Sequence, residues 1–536
     1  MASTGSVVSS LLRTPQGLIL AALSAVSAEG AFHLFVPTTD PLLALARVAI
    51  VFIAVLVIFR LAQVTLPRFG ASYKDTLCLA AVLVGGVVSI FLGEIFAVSL
   101  STYIKGVRYI AEVDTTSFAY LFPFAAGALL LQSVLGLHYS LVYSLIISMI
   151  IGVYYPHEFL LAPYTLITTF VACLGFSQFR SRSAYLKGGL YVSLFAFAIA
   201  FCSVLLDGDD TTSDIAVKLV GSLLNGFLSC FIASGLTPVF EYLGGYATDM
   251  RLIEMATLDH PLLKELSVQA PGTWNHSMVM GMMAESAAES IGANPVLSRV
   301  GAYFHDIGKT KKPLYFVENQ LAEENRHDKL SPSMSALIIR SHVKDGLELA
   351  KKHGLPLTIQ DMIGQHHGTM MIEFFYEKAL REAREQDPDA EVDPSPYTYP
   401  GPKPQTREAG ILLLADGIEA AARTMSEPDV DRIQGMVQKM INKVFSSGQL
   451  EESQLTLRDL HLIAKSFTRV LTGIHHKRIA YAEPVEKLSE KSKPQEGEAP
   501  SAEVASFTAA RRARMASEES KDKEASKEDL KRLGIS

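Results

Sequence analysis

Residues 115–157 contain no Asp, Glu, Lys or Arg over 43 consecutive positions. The hydrocarbon core of a bilayer is crossed by about 20 mostly apolar residues in a helix. The uncharged run is therefore long enough for two membrane-spanning helices, with a tight turn near Gly136-Leu137-His138. A chain with this feature is expected to contain a polytopic helical membrane domain.

Five other apolar segments are long enough to span a bilayer: 41–59, 76–93, 159–179, 188–206 and 219–240. Together with the two helices above, they predict seven spans within residues 41–240. Arg47 interrupts the first span near one end, where a long side chain can reach the headgroups. Residues 16–36 are divided by Glu29, so the N-terminal segment 1–40 is predicted to lie at the interface, with an eighth span left open.

Basic residues in the loops indicate which side of the membrane is cytoplasmic. Two loops are rich in them, with Arg60, Arg68 and Lys74 in one and Arg180, Arg182 and Lys187 in the other. Segment 207–214 is acidic instead. Seven spans then place the N-terminus outside and everything after about residue 245 in the cytoplasm. The net charge of −7 argues against a DNA or RNA polymer as partner.

The second half of the chain is polar and reads as helices, because apolar residues recur there at helical spacing. Residues 241–273 are predicted as a helical connector and 274–482 as one helical domain, interrupted by a proline-rich loop at 387–404. Residues 483–536 have almost no large apolar side chains and are predicted to be disordered. The predicted fold class is thus all-α: a membrane domain of seven spans, a helical domain and a tail.

Polar residues that suit a metal centre recur within the apolar helical stretches of the second half. They are His276, His305, Asp306, His342, His366, His367 and Asp416. Imidazole and carboxylate without thiolate favour iron or manganese over structural zinc. The four cysteines all lie in the apolar first half. Seven ligands are about what two adjacent ions need, so we expect two divalent transition-metal ions (Fe or Mn).

Two adjacent metal ions can hold a hydroxide between them and clamp a phosphodiester for in-line displacement. Lys309 follows Asp306 by three positions, so its ammonium is expected near the same site, where it would bind phosphate. The alternative for Lys309 is a solvated side chain in a run with Lys311 and Lys312. The predicted catalytic residues are Asp306 and Lys309.

The order H…HD…H…HH…D resembles that of the HD phosphohydrolase superfamily. Longer strings resemble the seven-transmembrane HD family of PgpH-type cyclic di-AMP phosphodiesterases: APGTWNHS, RVGAYFHDIGK, ENRHDKLSPSMSALIIRSHVKDG, IGQHHGT, YPGPKPQTREA and LTLRDL. The resemblance runs from about residue 41 to 482. Many members of that family carry a large extracytoplasmic domain ahead of the spans, whereas about 40 residues precede the first predicted span here.

The resemblance implies a bacterial enzyme of the cell (inner) membrane that hydrolyses cyclic di-AMP to linear pApA. It implies that His276, His305, Asp306 and Asp416 bind one metal ion. The second ion would then be held by His342, His366 and His367, with Asp306 bridging the two.

Two alternatives to this function stay open. One is a cyclic di-GMP phosphodiesterase, whose HD subgroup continues after the paired histidines with a Glu and a GYP triplet. Here Gly368 and Thr369 follow instead. The other is a membrane receptor that binds nucleotide without turnover, although such a protein has no need of seven metal ligands. Expected partners are cyclic di-AMP and the lipid bilayer, and a homo-oligomer stays open.

Overall fold

The computed structural model describes residues 14–35, 40–66, 69–70, 72–105, 113–156, 158–174, 182–208, 210–320, 325–425 and 429–474. Within these ranges the chain forms helices and no strand, apart from an isolated bridge between Met371 and Thr398. The predicted all-α fold class is confirmed. The predicted disordered tail, 483–536, lies outside the described residues.

The apolar first half forms eight α-helices and a short 3-10 helix, Thr115–Leu121. In chain order the α-helices are α1 (Pro15–Phe35), α2 (Pro41–Thr65), α3 (Tyr73–Lys105), α4 (Ala125–Val134), α5 (Leu137–Tyr154), α6 (Leu161–Leu174), α7 (Arg182–Asp207) and α8 (Thr212–Gly244). Their inner faces share one hydrophobic core, while large apolar side chains on their outer faces are exposed. This is the arrangement expected of a multi-pass membrane protein.

Within the described residues, seven of these helical segments are long and apolar enough to cross a membrane. They include Pro15–Leu34, which was predicted to lie at the interface. The predicted span 159–179 contains the shorter apolar helix Leu161–Leu174 and continues into residues outside those that the structure describes.

Helix α1 packs into the membrane domain because its one acidic residue is neutralised. The Glu29 carboxylate accepts a hydrogen bond from the Arg47 guanidinium at 2.6 Å and another from the Tyr154 hydroxyl at 2.8 Å. Leu20 and Ala21 of the same helix are fully buried. Arg47 is itself buried, so the prediction that it reaches the headgroups is wrong: it pairs with Glu29 instead. These contacts favour an intramembrane over an interfacial position for α1.

The membrane domain continues into the second half through a short, well-bonded connection. Helix α8 ends at Gly245, whose φ of 59° lies in the left-handed region that glycine adopts without steric cost. Thr248 then caps the next helix, α9 (Asp249–Met255). The Arg251 guanidinium donates to the carbonyl oxygens of Tyr246 at 3.0 Å and Glu241 at 3.2 Å.

The second half packs its remaining helices around a separate hydrophobic core, except α15, which packs through Phe375 in a small cluster with Ala336 and Tyr397. These helices are α10 (Pro261–Gln269), α11 (Pro271–Ile291), α12 (Pro295–Phe304), α13 (Pro332–Lys352), α14 (Leu357–Gln365), α15 (Glu373–Gln386), α16 (Arg407–Arg423), α17 (Val430–Ser446) and α18 (Leu457–Ile474). The proline-rich stretch 387–404 is a loop with one short 3-10 helix, Ser395–Tyr397. Five of the helices carry or immediately precede the residues of the candidate site.

Candidate metal centre

The structure brings all seven predicted ligands together from five helices. His276 lies on α11, His342 on α13 and Asp416 on α16, while the two dipeptides follow directly after the ends of α12 and α14. His305 and Asp306 form the first dipeptide, and His366 and His367 form the second. All the ligands except His367 and Asp416 are almost completely buried, and those two are partly buried.

The ligand atoms form two main groups with Asp306 between them. In the first group one atom each of His276, His305 and Asp416 lie within 4.8 Å of one another, and the same holds for His342, His366 and His367 in the second. The two carboxylate oxygens of Asp306 face different groups. Oδ2 lies 3.1 Å from Nε2 of His305, whereas Oδ1 lies 3.2 Å from Nε2 of His342.

Backbone hydrogen bonds orient three of the imidazoles. In each case Nδ1 lies within hydrogen-bond distance of the carbonyl oxygen three residues earlier, and these pairs are His305–Ala302 at 2.7 Å, His342–Ile339 at 2.6 Å and His366–Ile363 at 2.8 Å. Nδ1 therefore carries the proton and donates, which leaves the lone pair on Nε2 directed at the centre. This tautomer is the one that metal-binding histidines adopt.

Two buried atoms at the middle of the site make no hydrogen bond: Nε2 of His305 and Oδ1 of Asp306. Leaving such polar atoms buried without a partner costs free energy. A divalent cation would satisfy both atoms, since each has a lone pair available. The residues present thus fit the divalent metal ions that the donor chemistry implies.

The electrostatics around His342, His366 and Asp306 favour the protonation states that metal ligands need. Burial lowers the pKa of His342 and also lowers the pKa of His366 well below its ordinary value, so both imidazoles are neutral. Burial alone would raise the pKa of Asp306, but neighbouring His305 and Lys309 hold it well below its ordinary value. Asp306 is therefore an anionic carboxylate.

Glu419 is part of the site but was not predicted from the sequence. Its Oε2 lies 2.5 Å from Nδ1 of His276, while Nε2 of that ring lies 3.1 Å from Asp416. Burial lowers the pKa of His276, but these two carboxylates raise it to about 9. A carboxylate behind a metal-binding histidine fixes the ring and increases its basicity. The sequence signal that could have identified Glu419 is its spacing, because Glu419 lies three residues after Asp416 on one helix face.

Lys309 lies beside Asp306, as its spacing suggested, and is held by a second carboxylate that was not predicted. Its Nζ lies 2.7 Å from Oδ2 of Asp306 and 2.8 Å from Oε1 of Glu318. Glu318 also accepts a hydrogen bond from the Thr273 hydroxyl at 3.0 Å. Burial lowers the pKa of Lys309, but the two carboxylates raise it, so the ammonium is charged. This contradicts the alternative of a solvated lysine.

Tyr399 closes one side of the centre. Its ring stacks on that of His367 with centroids 4.2 Å apart and an interplanar angle of 30°. Tyr399 belongs to the proline-rich loop, and its backbone N–H donates to the carbonyl oxygen of Met370 at 2.9 Å. The loop therefore supplies a wall of the site in addition to connecting α15 to α16.

A helical domain with histidines and aspartates converging in this order defines an HD hydrolase. Comparison with known families gives the same result. Residues 273–421 match the HD domain family, and residues 41–248 match the family described as a 7TM receptor with intracellular HD hydrolase. Residues 41–248 therefore belong to that seven-transmembrane family and residues 273–421 to the HD domain family, in this order along the chain. The resemblance inferred from the motifs is confirmed.

Two curated relatives are similar to this chain over most of its length. The chain is 36% identical over 410 residues to the cyclic-di-AMP phosphodiesterase PgpH of Bacillus subtilis, covering 75% of this chain and 56% of that protein. It is also 36% identical over 382 residues to the Listeria monocytogenes protein of the same name, covering 70% of this chain and 52% of that protein. The chain thus spans about half the length of the curated relatives it matches.

Solved structures of the isolated HD domain are also similar in sequence. The L. monocytogenes PgpH HD domain in complex with cyclic-di-AMP is 44% identical, and the match covers 41% of this chain and 100% of that chain, with a TM-score of 0.38. A second structure of the L. monocytogenes PgpH HD domain is 43% identical, and the match covers 40% of this chain and 100% of that chain, again with a TM-score of 0.38.

Proposed function

We propose that this protein is a membrane-anchored, metal-dependent phosphodiesterase that hydrolyses cyclic di-AMP to linear pApA. The observation that carries the proposal is Asp306, whose two oxygens lie at 3.1 and 3.2 Å from histidines of different ligand groups. A carboxylate in this position suits two adjacent cations. The choice of substrate is supported by the relatives, which are named cyclic-di-AMP phosphodiesterases.

In this proposal His276, His305 and Asp416 would hold one ion, and His342, His366 and His367 would hold the other. Asp306 would serve both, and iron or manganese is the expected metal because the donors are imidazole and carboxylate. When bound, such a pair neutralises phosphate oxygens and activates water. Glu419 orients His276, and Tyr399 covers the exposed side of His367.

Lys309 is proposed to bind the phosphate. Its ammonium is anchored by Asp306 and Glu318, so it is positioned before substrate arrives and loses little side-chain entropy on binding. A fixed positive charge next to the metal ligands adds to the attraction for a phosphodiester anion. Glu318 acts through Lys309 and is therefore a positioning residue.

The test is product formation by the full-length protein in detergent, loaded with Mn²⁺ or Fe²⁺ and given each cyclic dinucleotide separately. We expect chromatography to show pApA from cyclic di-AMP. Equal or greater kcat/KM on cyclic di-GMP would reject the substrate assignment. Binding of cyclic di-AMP without any linear product would instead indicate the receptor alternative.

Lys309→Ala is expected to lower kcat/KM for cyclic di-AMP about tenfold, equivalent to about 1.4 kcal/mol of transition-state binding. Metal content should stay the same, because the ammonium is not a ligand. Lys312→Ala is the matched control, since Lys312 is exposed. A loss of metal from the Lys309 variant, or an equal effect in both variants, would contradict phosphate binding by Lys309.

We further propose that the HD domain faces the cytoplasm of the cell in which the protein spans the inner membrane. The basic segments 60–74 and 180–187 lie on one side only if every helix between them crosses, including the short α6. The chain after α8 lies on that same side. If α1 also crosses, the N-terminus joins the HD domain in the cytoplasm, contrary to the sequence-based expectation that it lies outside.

Reporter fusions test this topology directly. A reporter after Leu206 should be read on the outer side and one after Gly245 on the cytoplasmic side, because only α8 separates them. A third reporter, before Pro15, should be cytoplasmic if α1 crosses as its burial suggests. Finding the first two reporters on one side would contradict the proposed topology. An N-terminus on the outer side would indicate that α1 lies at the interface and does not cross.

A further inference from the structure

A cavity of about 230 Å³ lies inside the membrane domain, and its lining shares no residue with the metal centre. Two of its walls are formed by α3 and α8, and its floor is formed by the segment 122–130 and by α5. For comparison, an apolar cavity of about 150 Å³ is large enough to bind benzene. This cavity has room for a larger apolar group.

The two walls have complementary side-chain sizes. Helix α3 contributes a row of small residues, Ala81, Gly85 and Ser89, at intervals of four. Helix α8 contributes a row of large ones, Ile232, Leu236 and Phe240, at the same interval. Residues four apart share one helix face, so each row runs along its helix for about 12 Å. We call the space between them the α3–α8 slot.

The slot opens at the outer surface of the membrane domain. Ala81, Gly85 and Ser89 are exposed, and Ile232 and Leu236 are 39% and 42% exposed. Ala81 and Ser89 lie eight and sixteen residues after the start of α3, which is about 12 and 24 Å along the helix. This depth falls within the hydrocarbon layer of a bilayer about 30 Å thick. The opening therefore faces lipid tails.

The hydroxyl groups in the lining already have partners. The Ser89 hydroxyl donates to the carbonyl oxygen of Gly86 at 2.7 Å, and the buried Tyr143 hydroxyl donates to that of Phe124 at 3.5 Å. The other lining side chains are apolar. The chemistry of the slot therefore selects an elongated apolar group and gives a polar ligand no comparable recognition.

Below the slot, the start of α3 contacts the residues that follow α8. Tyr246, two residues after α8, donates to the Asp75 carboxylate at 3.0 Å, and the Lys74 ammonium lies 4.2 Å from the centre of the Tyr246 ring. Phe240 lies only four residues before the end of α8. Entry is therefore lateral, from the hydrocarbon layer.

We propose that the α3–α8 slot binds one acyl chain of a membrane lipid. An acyl chain is inferred as the occupant from the apolar lining, from the length of about 12 Å set by the residue spacing, and from the position of the opening within the hydrocarbon layer. The proposal depends on the membrane placement of α3 and α8 and is independent of the phosphodiesterase proposal.

The test uses the full-length protein reconstituted in phosphatidylcholine vesicles that contain a phospholipid with a diazirine in its acyl chain. After illumination, labelled peptides are located by mass spectrometry. We expect excess labelling of residues 81–90 and 232–240 relative to the other lipid-facing segments. Gly85→Leu should abolish that excess, because a Cβ at Gly85 meets no atom within 4 Å and the new side chain can enter the slot.

Gly235→Leu is the matched control. A Cβ at Gly235 also meets no atom within 4 Å, and this exposed position on α8 is not part of the slot lining. It should keep the excess labelling. Even labelling of all lipid-facing helices, or an excess that persists in Gly85→Leu, would show annular lipid only and overturn the proposal. Unlabelled walls together with a changed oligomeric mass in Gly85→Leu would assign the slot to a second copy of the chain.

Discussion

Asp306→Ala is expected to remove both metal ions and to reduce cyclic di-AMP hydrolysis to background. The reason is that the two oxygens of the buried Asp306 carboxylate lie 3.1 Å from Nε2 of His305 and 3.2 Å from Nε2 of His342, which belong to different ligand groups. Loss of a residue behind a metal ligand typically lowers affinity or activity about 10- to 100-fold, so loss of a shared ligand should exceed that range. Elemental analysis of carefully loaded protein measures the loss of metal, and we expect about two ions per chain in the unaltered protein. Product chromatography measures the loss of hydrolysis.

Asp306→Asn separates charge from shape, since the amide keeps the size of the side chain and removes the anion. It should behave like Asp306→Ala. Asp416→Ala should lose mainly the ion of the group that Asp416 forms with His276 and His305, although its Oδ2 also lies 3.3 Å from Nδ1 of His367. Asp361→Asn is the control for a general effect of removing an aspartate, since Asp361 is exposed on α14. Full metal occupancy in Asp306→Ala would disprove the bridging assignment.

The ligands were predictable from sequence because each is a polar residue on a stretch that is otherwise apolar at helical spacing. Glu419 was not, because it lies four residues before Arg423 and such a pair is typical of an exposed helix face. The structure does contain that pair, at 2.9 Å, yet the Glu419 side chain is only 7% exposed and its other oxygen lies against His276. The sequence shows the helical neighbour of a carboxylate, but the partner 143 residues away depends on the tertiary fold.

The same dependence on tertiary contacts explains why the N-terminal helix α1 was predicted to lie at the interface. Hydropathy treats Glu29 as an interruption, because the cost of a charge in an apolar segment is assessed residue by residue. Its partner Arg47 lies 18 residues later on α2, and the pair removes much of that cost only after the two helices have packed.

Removal of the metal ions is expected to lower the midpoint of thermal unfolding of the HD domain by about 10 °C. Without ions the domain keeps its buried ligand cluster and leaves Nε2 of His305 and Oδ1 of Asp306 unsatisfied. Ligand binding to the native state contributes about 4 kcal/mol when free metal is 1,000 times Kd, and 1 kcal/mol shifts the midpoint about 2–4 °C in a domain of this size.

The chain provides a local probe for this measurement. Trp274 is the single tryptophan, lies on α11 two residues before His276, and packs against the Tyr303 ring with centroids 6.0 Å apart. Its fluorescence emission therefore reports on unfolding of the HD domain, because the membrane domain contains no tryptophan. The melt should shift upward when Mn²⁺ is added back to chelator-treated protein and should not shift in Asp306→Ala. An unchanged midpoint in the unaltered protein would show that the ligand cluster is satisfied without ions, because bound metal must stabilise the state that holds it.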